Sequence, residues 1–179
     1  MCLKSDWVSR RGFAVGLVAV LAMRGVPAFA RGSETSAKSF LAMIYESYLG
    51  SSLKAKRVSL DNAASIRRYF SPGLASVILD DGAEAGKPDG PPALGRDPFI
   101  GRQEWEIAAL SIDVKDNGPA KAIGTVAFTN FGKPERVVLE LLKVGDDWRI
   151  ADIKWDSGSL RGLYRKKWQT VPAYGERAK

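Results

Sequence analysis

An α+β fold is predicted for this sequence, with three N-terminal helices packed on a curved, four-stranded antiparallel meander to form a cone-like domain. Apolar residues recur at helical spacing up to about residue 82, and apolar and polar residues alternate from about residue 105. Short turn signals separate the alternating segments, which is typical of an antiparallel meander. Because the helices precede the strands within one domain, we expect them to cover one face of the sheet.

Each of the three helices is marked by its ends or by its apolar face. The first follows an N-cap residue, Ser36, and ends at Gly50. Apolar residues at positions 66, 69 and 70 indicate a short second helix. Ser71 and Pro72 suit the cap and first position of a third helix, which ends near Gly82. A long loop rich in Gly, Pro and Ala then extends to the first strand.

Four strands and a short C-terminal helix over residues 160–168 complete the prediction. The alternating apolar residues that mark the strands are Leu110, Ile112 and Val114, then Val126 and Phe128, then Val137, Leu139 and Leu141, and finally Trp148, Ile150, Ile153 and Trp155. The alternation changes phase between Ile107 and Leu110, and again between Ile150 and Ile153. A one-residue slip of this kind predicts a β-bulge, which bends a sheet.

The first thirty residues predict a bacterial signal peptide. A positive segment with Arg10 and Arg11 precedes an apolar run over residues 13–23, and Ala-Phe-Ala at 28–30 provides a cleavage site. The run is too short for a membrane span, which needs about 20 apolar residues. The segment SRRGF at 9–13 also fits the twin-arginine export motif, with an ordinary secretory leader as the alternative. We therefore expect a periplasmic or secreted domain.

The composition of the mature domain, residues 31–179, excludes several kinds of chemistry. The chain has no histidine, and its one cysteine, Cys2, lies in the predicted leader. The domain therefore cannot build a Ser-His-Asp triad, a cysteine nucleophile or a histidine-based metal site, and we predict neither a metal nor a cofactor. Removing the leader leaves 23 basic and 19 acidic residues, a net charge of about +4. A nucleic-acid binder usually concentrates more positive charge in one stripe, so no nucleic-acid partner is predicted.

Three segments resemble a bacterial exported family catalogued as domain of unknown function 3828. They are RYFSPGL at 68–74, DPFIGRQEW at 97–105 and WRIADI at 148–153. The family is similar to the nuclear transport factor 2-like superfamily, in which a curved antiparallel sheet wraps a cone of helices. The resemblance covers about residues 36–168, with Glu104 where many members have aspartate. It implies the fold and export, and it assigns no reaction and no catalytic residue.

Asp152 is the candidate catalytic or anchoring residue, because it lies in an otherwise apolar strand. If the bulge turns it to the concave face, it would be desolvated, as a general base or ligand anchor needs. Turned outward, it is an ordinary surface acid or a partner of Arg102 or Arg149. Gln103 could orient a polar ligand group. Four aromatic residues could line the same cavity, although core packing explains each of them too: Tyr45, Tyr69, Trp105 and Trp155.

These observations favour an exported, non-enzymatic module that binds a small apolar ligand or a partner protein in the open end of the cone. One alternative is a histidine-free hydrolase or isomerase that uses Asp152 as general base, with a tyrosine assisting. Another is a structural envelope protein with a filled interior. The sequence does not fix the ligand, the partner or the oligomeric state.

Overall fold

The helices lie where apolar residues recur every three or four positions. The computed structural model describes residues 28–85 and 94–164. Its α-helices are α1 (Ala28–Tyr45), α2 (Ala63–Tyr69) and α3 (Pro72–Ala85), and a 3-10 helix, Glu46–Tyr48, continues α1. Asn62 caps α2, because its Oδ1 accepts a hydrogen bond of 2.9 Å from the backbone N–H of Ser65. Residues 1–27, which hold most of the predicted signal peptide, lie outside the described residues.

Six strands form a single antiparallel sheet in which every strand pairs with the next one along the chain. They are β1 (Gly50–Ser51), β2 (Glu106–Asp116), β3 (Lys121–Asn130), β4 (Lys133–Val144), β5 (Asp147–Trp155) and β6 (Gly158–Ser159). The four long strands occupy the segments where apolar and polar residues alternate. The connection between β3 and β4 is a two-residue hairpin turn, since Asn130 pairs directly with Lys133.

The predicted combination of a four-stranded meander with three N-terminal helices is wrong. Within residues 28–85 and 94–164 the sheet has six strands, and the helical segments include the 3-10 helix and residues 160–164. The two additional strands, β1 and β6, contain two residues each, which is too short for alternation to mark them. Each begins with a glycine at positive φ, 87° at Gly50 and 133° at Gly158, so glycine turns the chain back onto the sheet edge.

Both predicted β-bulges are confirmed. In β2 the register with β3 shifts between Ala108 and Ser111, and Ala109 has a φ of 51°. In β5 the shift leaves Ala151 as the extra residue, because Ile150 and Asp152 pair with successive residues of β4. Each bulge lets apolar side chains on both sides of the slip face the same way.

One face of the sheet packs on α1 and carries the core. Gly124 faces α1 so closely that a Cβ atom there would meet the Leu41 side chain. Its row of paired residues, which includes Leu139 and Ile153, is buried in all four long strands. The Trp148 indole Nε1–H donates a hydrogen bond of 2.9 Å to Ser36 Oγ, which joins α1 to β5. The opposite face of the sheet therefore holds the residues that alternate with this row.

Candidate functional site

Three of the predicted site residues meet in an aromatic cluster around Phe99, a fully buried residue of the loop that precedes β2. The rings whose centroids lie 5.8 to 6.5 Å from that of Phe99 are Tyr45, Tyr48, Tyr69 and Phe70, and Trp105 packs on Tyr48 at 5.3 Å. The Tyr45 hydroxyl donates to the carbonyl of Phe99 at 2.9 Å. Burial raises the pKa of Tyr45 well above its usual value, so the phenol stays neutral. Tyr45, Tyr69 and Trp105 thus pack against other rings.

Asp97 organises the loop beside this cluster. Its Oδ1 accepts hydrogen bonds from the backbone N–H groups of Phe99, at 2.9 Å, and Ile100, at 3.4 Å. Its Oδ2 accepts the Tyr48 hydroxyl at 2.8 Å. Burial nevertheless raises the pKa of Asp97 from its usual 3.8, against the lowering effects of these donors and of the Arg57 charge. Burial and the neighbouring Asp97 likewise raise the pKa of Tyr48.

A cleft of about 410 Å³ lies between residues 57–61 and residues 94–105. Tyr48 lies beside both walls, since its hydroxyl donates to Asp97 and the Val58 backbone lies near the same hydroxyl. The charged and amide side chains in the lining are Arg57, Asp61, Arg96, Asp97 and Gln103. A hydrogen bond of 2.7 Å from its Nε2 to the Gly95 carbonyl fixes the Gln103 side chain. Two of the predicted site residues, Gln103 and Trp105, thus line this cleft.

Trp105 also belongs to the wall of this cleft. The residue is 2% exposed, and its Nε1–H is buried with no hydrogen-bond partner among the described residues. An indole Nε1 is a donor only, and a buried donor without an acceptor costs about 1–3 kcal/mol.

Trp155 lies on the other side of the loop and does not join the cluster around Phe99. Its Nε1–H donates to the Pro98 carbonyl at 3.0 Å, and the Arg96 guanidinium lies 5.7 Å from its ring centroid. It lines a smaller cleft of about 140 Å³ with Glu135 and Arg136. A third cleft, of about 420 Å³, lies between α3 and the β4–β5 hairpin.

Asp152 faces away from α1. It pairs with Glu140, on the alternate row to Leu139 and Ile153, and it is 5% exposed. Its Oδ1 accepts the backbone N–H of Ile153 at 2.9 Å and that of Arg161 at 2.8 Å. The carboxylate therefore caps the first turn of the C-terminal helical segment, which is a structural role.

Large apolar side chains are exposed at the end of the sheet that carries β1. Phe131, at the tip of the β3–β4 hairpin, is 57% exposed and has a φ of 47°. Leu53, just after β1, is 93% exposed, and Leu49 is 44% exposed. Ser51 pairs with Glu106, whose carbonyl accepts the backbone N–H of Phe131 at 3.0 Å. The hairpin tip and the turn after β1 therefore flank the same residue of β2.

No family model and no curated protein matches the chain. Among solved structures, it is similar to a chain in the crystal structure of the type VI native effector–immunity complex Tae3–Tai3 from Ralstonia pickettii. The two are 23% identical, the match covers 69% of this chain and 94% of that chain, and the TM-score is 0.45.

The predicted membership of the exported family of unknown function, and of the nuclear transport factor 2-like superfamily, is wrong. No family model matches the chain. The resemblance rested partly on the segment WRIADI, in which apolar and polar residues alternate as in any half-buried strand with a bulge. This pattern predicts a strand and does not identify a family.

The described residues contain neither a candidate membrane span nor a candidate metal centre. None of the helices within 28–85 and 94–164 has the length and apolar character that crossing a membrane requires. The same part of the chain brings no three acidic, cysteine or histidine side chains together as metal ligands.

Sequence reasoning missed Asp97, Tyr48 and Phe131. Asp97 and Tyr48 are 49 positions apart, and only the folded chain brings them within hydrogen-bond distance. The segment Asn130-Phe131-Gly132 did contain a signal, because a two-residue hairpin turn requires positive φ at both central positions and Phe is unusual there.

Proposed function

We propose that this chain is a non-enzymatic module of the periplasm or extracellular space that binds a partner protein through the β1 end of its sheet. The observation that carries the proposal is Phe131, a large apolar side chain presented to solvent on a backbone that disfavours it. The left-handed conformation costs a non-glycine residue about 1–2 kcal/mol. Asn or Gly would form the same turn more easily, so the phenylalanine at this position contributes to binding and not to the turn.

The hairpin tip is held rigidly, as a binding anchor should be. The side chain of Asn130 accepts the backbone N–H of Glu106 at 2.9 Å and donates to Glu135 Oε1 at 3.1 Å. Arg102 forms an ion pair of 3.2 Å with the same oxygen. An aromatic side chain on a preorganised turn loses little conformational entropy on binding, which is typical of interface hot spots.

The alternatives have less support from the geometry. Asp152 is occupied as a helix cap, and it lines none of the three clefts described above, so it is poorly placed to act as a general base. A purely structural role would not account for the exposed Phe131 and Leu53. Of the aromatic residues expected to surround an apolar ligand, Tyr45 and Tyr69 pack on Phe99 and Trp105 packs on Tyr48. The cleft of about 410 Å³ beside them is lined by charged as well as apolar groups.

Site-specific photo-crosslinking tests the proposal. A photoreactive phenylalanine analogue replaces Phe131 or Leu53 in the full chain, expressed in its own host. We expect both positions to crosslink to one and the same protein. The matched control is Lys115, an exposed residue toward the other end of β2, which should not crosslink to it.

The captured protein is then purified and titrated with the wild-type module and with Phe131→Ala. Loss of an aromatic anchor typically costs about 2 kcal/mol or more, so affinity should fall at least about tenfold. Capture at Lys115 with equal yield, or unchanged affinity of Phe131→Ala, would show that this end of the sheet is not the interface.

A further inference from the structure

We propose that the outer edge of β2 pairs with the same edge of a second copy of this chain, antiparallel and two-fold symmetric about Val114. This surface is separate from the one proposed above, because Phe131 lies beside Glu106 at the other end of β2. Three observations carry the inference: an edge that no strand covers, a charge pattern that complements itself in one register, and a bulge that limits the pairing.

The outer edge of β2 is uncovered beyond its first two residues. β1 pairs with those two residues, and among the described ranges of the chain no other strand lies beside β2 on that side. Along the uncovered part, the side chains on the face away from α1 are exposed, namely Ser111, Asp113 and Lys115. Such an edge presents backbone donors and acceptors to which a strand of another molecule can bond.

Hydrogen bonds at the end of β2 show which backbone groups point outward. The N–H of Asn117 donates to the Lys121 carbonyl at 3.1 Å, across the turn to β3, whereas the N–H of Asp116 donates to Glu34 Oε1 at 3.2 Å. In an antiparallel ladder only every second residue bonds to the neighbouring strand. The N–H and C=O groups of the even-numbered residues within 112–116 therefore point away from β3 and are the ones that a second copy can reach.

The charges on β2 complement each other across this edge in one register. With Val114 opposite Val114 of the second copy, Asp113 lies opposite Lys115 of the second copy, and symmetry forms this pair twice. Residues in such non-hydrogen-bonded pairs have Cα atoms about 4.5 Å apart, so their opposite charges attract. A shift of two residues either way would instead place Asp113 opposite Asp113, or Lys115 opposite Lys115. The charge pattern therefore selects the register centred on Val114.

The pairing is limited at both ends. Ala109, with a φ of 51°, lies in the bulge and distorts the edge on the β1 side. At the other end Glu34 already binds the N–H of Asp116, so the Ile112 carbonyl of the second copy would have to compete for it. The contact therefore spans residues 112–116 of each copy, and it uses the uncovered edges of both, which leaves none for a third copy.

Sedimentation equilibrium of the purified protein over a range of concentrations tests the inference. We expect a dimer that dissociates on dilution, because so short a pairing provides few contacts. Hydrogen exchange measured by nuclear magnetic resonance then locates the contact. The backbone amides of Ile112 and Val114 should exchange more slowly as the dimer forms, since each gains a carbonyl acceptor from the second copy.

Charge reversal tests the register. Lys115→Asp places an aspartate opposite Asp113 twice in each dimer, so dimerisation should weaken about tenfold. Adding Asp113→Lys to this variant restores opposite charges in the same register, and the double variant should regain the affinity. Lys133→Asp makes the same change in net charge at an exposed position of β4 and should leave dimerisation unchanged.

Several results would overturn the inference: a monomer at concentrations up to about 1 mM, unprotected Ile112 and Val114 amides in a dimer, or no recovery in the double variant. Equal losses in Lys115→Asp and Lys133→Asp would overturn it too. Loss of the dimer in Phe131→Ala would place the contact at the hairpin tip instead. The proposed function is judged separately, by whether a different protein is captured at Phe131.

Discussion

Asp97 shows at the residue scale how burial can outweigh several favourable contacts. Three donors and the Arg57 charge favour its ionised form, yet its pKa is raised, because desolvation is the largest influence. The folded chain therefore holds a proton at Asp97 more tightly than the unfolded chain does. Its contribution to stability is complete below the usual value of 3.8 and is lost as the pH rises through the raised pKa.

Asp97→Asn should consequently change how stability depends on pH. Asparagine keeps an oxygen for the backbone N–H groups of Phe99 and Ile100 and has no proton to lose. We expect the free energy of unfolding of the wild type, relative to the variant, to fall as the pH rises from about 4 to about 7. Urea unfolding at a series of pH values measures the difference. Parallel curves for the two proteins, or a difference that grows with pH, would contradict the assignment.

Gly101 is the residue where the loop around Phe99 comes closest to Trp155. A Cβ atom there would lie 2.7 Å from Trp155 Cδ1, and the φ of 72° is unfavourable for alanine. Gly132 has a nearly equal φ of 74°, and a Cβ atom there would meet nothing within 4 Å, so Gly132→Ala is a matched control. We expect Gly101→Ala to lose roughly 1–3 kcal/mol more stability than this control, the range for overpacking. Equal losses in chemical denaturation would mean that the indole moves freely.

At the scale of elements, the close approach of α1 to the sheet depends on the absence of a side chain at one position of β3. Gly124 of β3 gives Leu41 of α1 the space that any other residue would fill. Since Leu41 is fully buried, its side chain has little room to move away. The spacing between α1 and the sheet therefore depends on these two residues together.

A double-mutant cycle tests this coupling. Gly124→Ala should destabilise the protein by about 1–3 kcal/mol through overpacking, and Leu41→Ala by about 2–5 kcal/mol through a cavity. In the double variant the new methyl group enters the cavity, so the combined loss should be smaller than the sum by at least about 0.5 kcal/mol. Additive losses would place the two side chains out of contact.

The long elements could be predicted from the sequence, and the short ones could not. Strands such as β3, with buried Val126 and Phe128, alternate over enough residues for the period to be read. The phase slips revealed both bulges, but not which residue is extra. That detail decides the orientation of Asp152, which faces away from α1. Strands of two residues, such as Gly50–Ser51, carry no period at all.

The candidate site was predicted only in part, because its chemistry depends on contacts between distant segments. Trp105 and Gln103 were identified from their residue types and their place beside a loop. No pattern indicates that the Trp105 indole lacks an acceptor among the described residues, since that depends on what surrounds it after folding. The burial of Asp97 also follows from the packing of Tyr48, and a loop aspartate is ordinarily read as solvated.

At the scale of the whole molecule, residues 31–179 contain no histidine and no cysteine, so this part of the chain must be stable without internal disulfides or metal–histidine sites. Its stability then comes from the apolar core between α1 and the sheet. A chain of this size buries enough surface for that purpose.

Replacing Arg10 and Arg11 by lysine would test the proposed export through the twin-arginine route. If the leader uses the twin-arginine route, the paired substitution should leave the protein uncleaved in the cytoplasm, because that route requires the arginines. A secretory leader needs only positive charge and would be exported as before. Fractionation followed by immunoblotting distinguishes the two outcomes, with Lys4→Arg as a control that alters the same positive segment without touching the motif.

The bulge in β2 has one more consequence, which concerns aggregation. β1 pairs with Glu106 and Ile107 alone, so among the described residues no strand covers the rest of the outer edge of β2. A long open edge is a template on which another chain can add a strand. Here Ala109 distorts that edge and Asp113 and Lys115 place charges along it. The sheet can therefore end in an open strand without stacking into fibres.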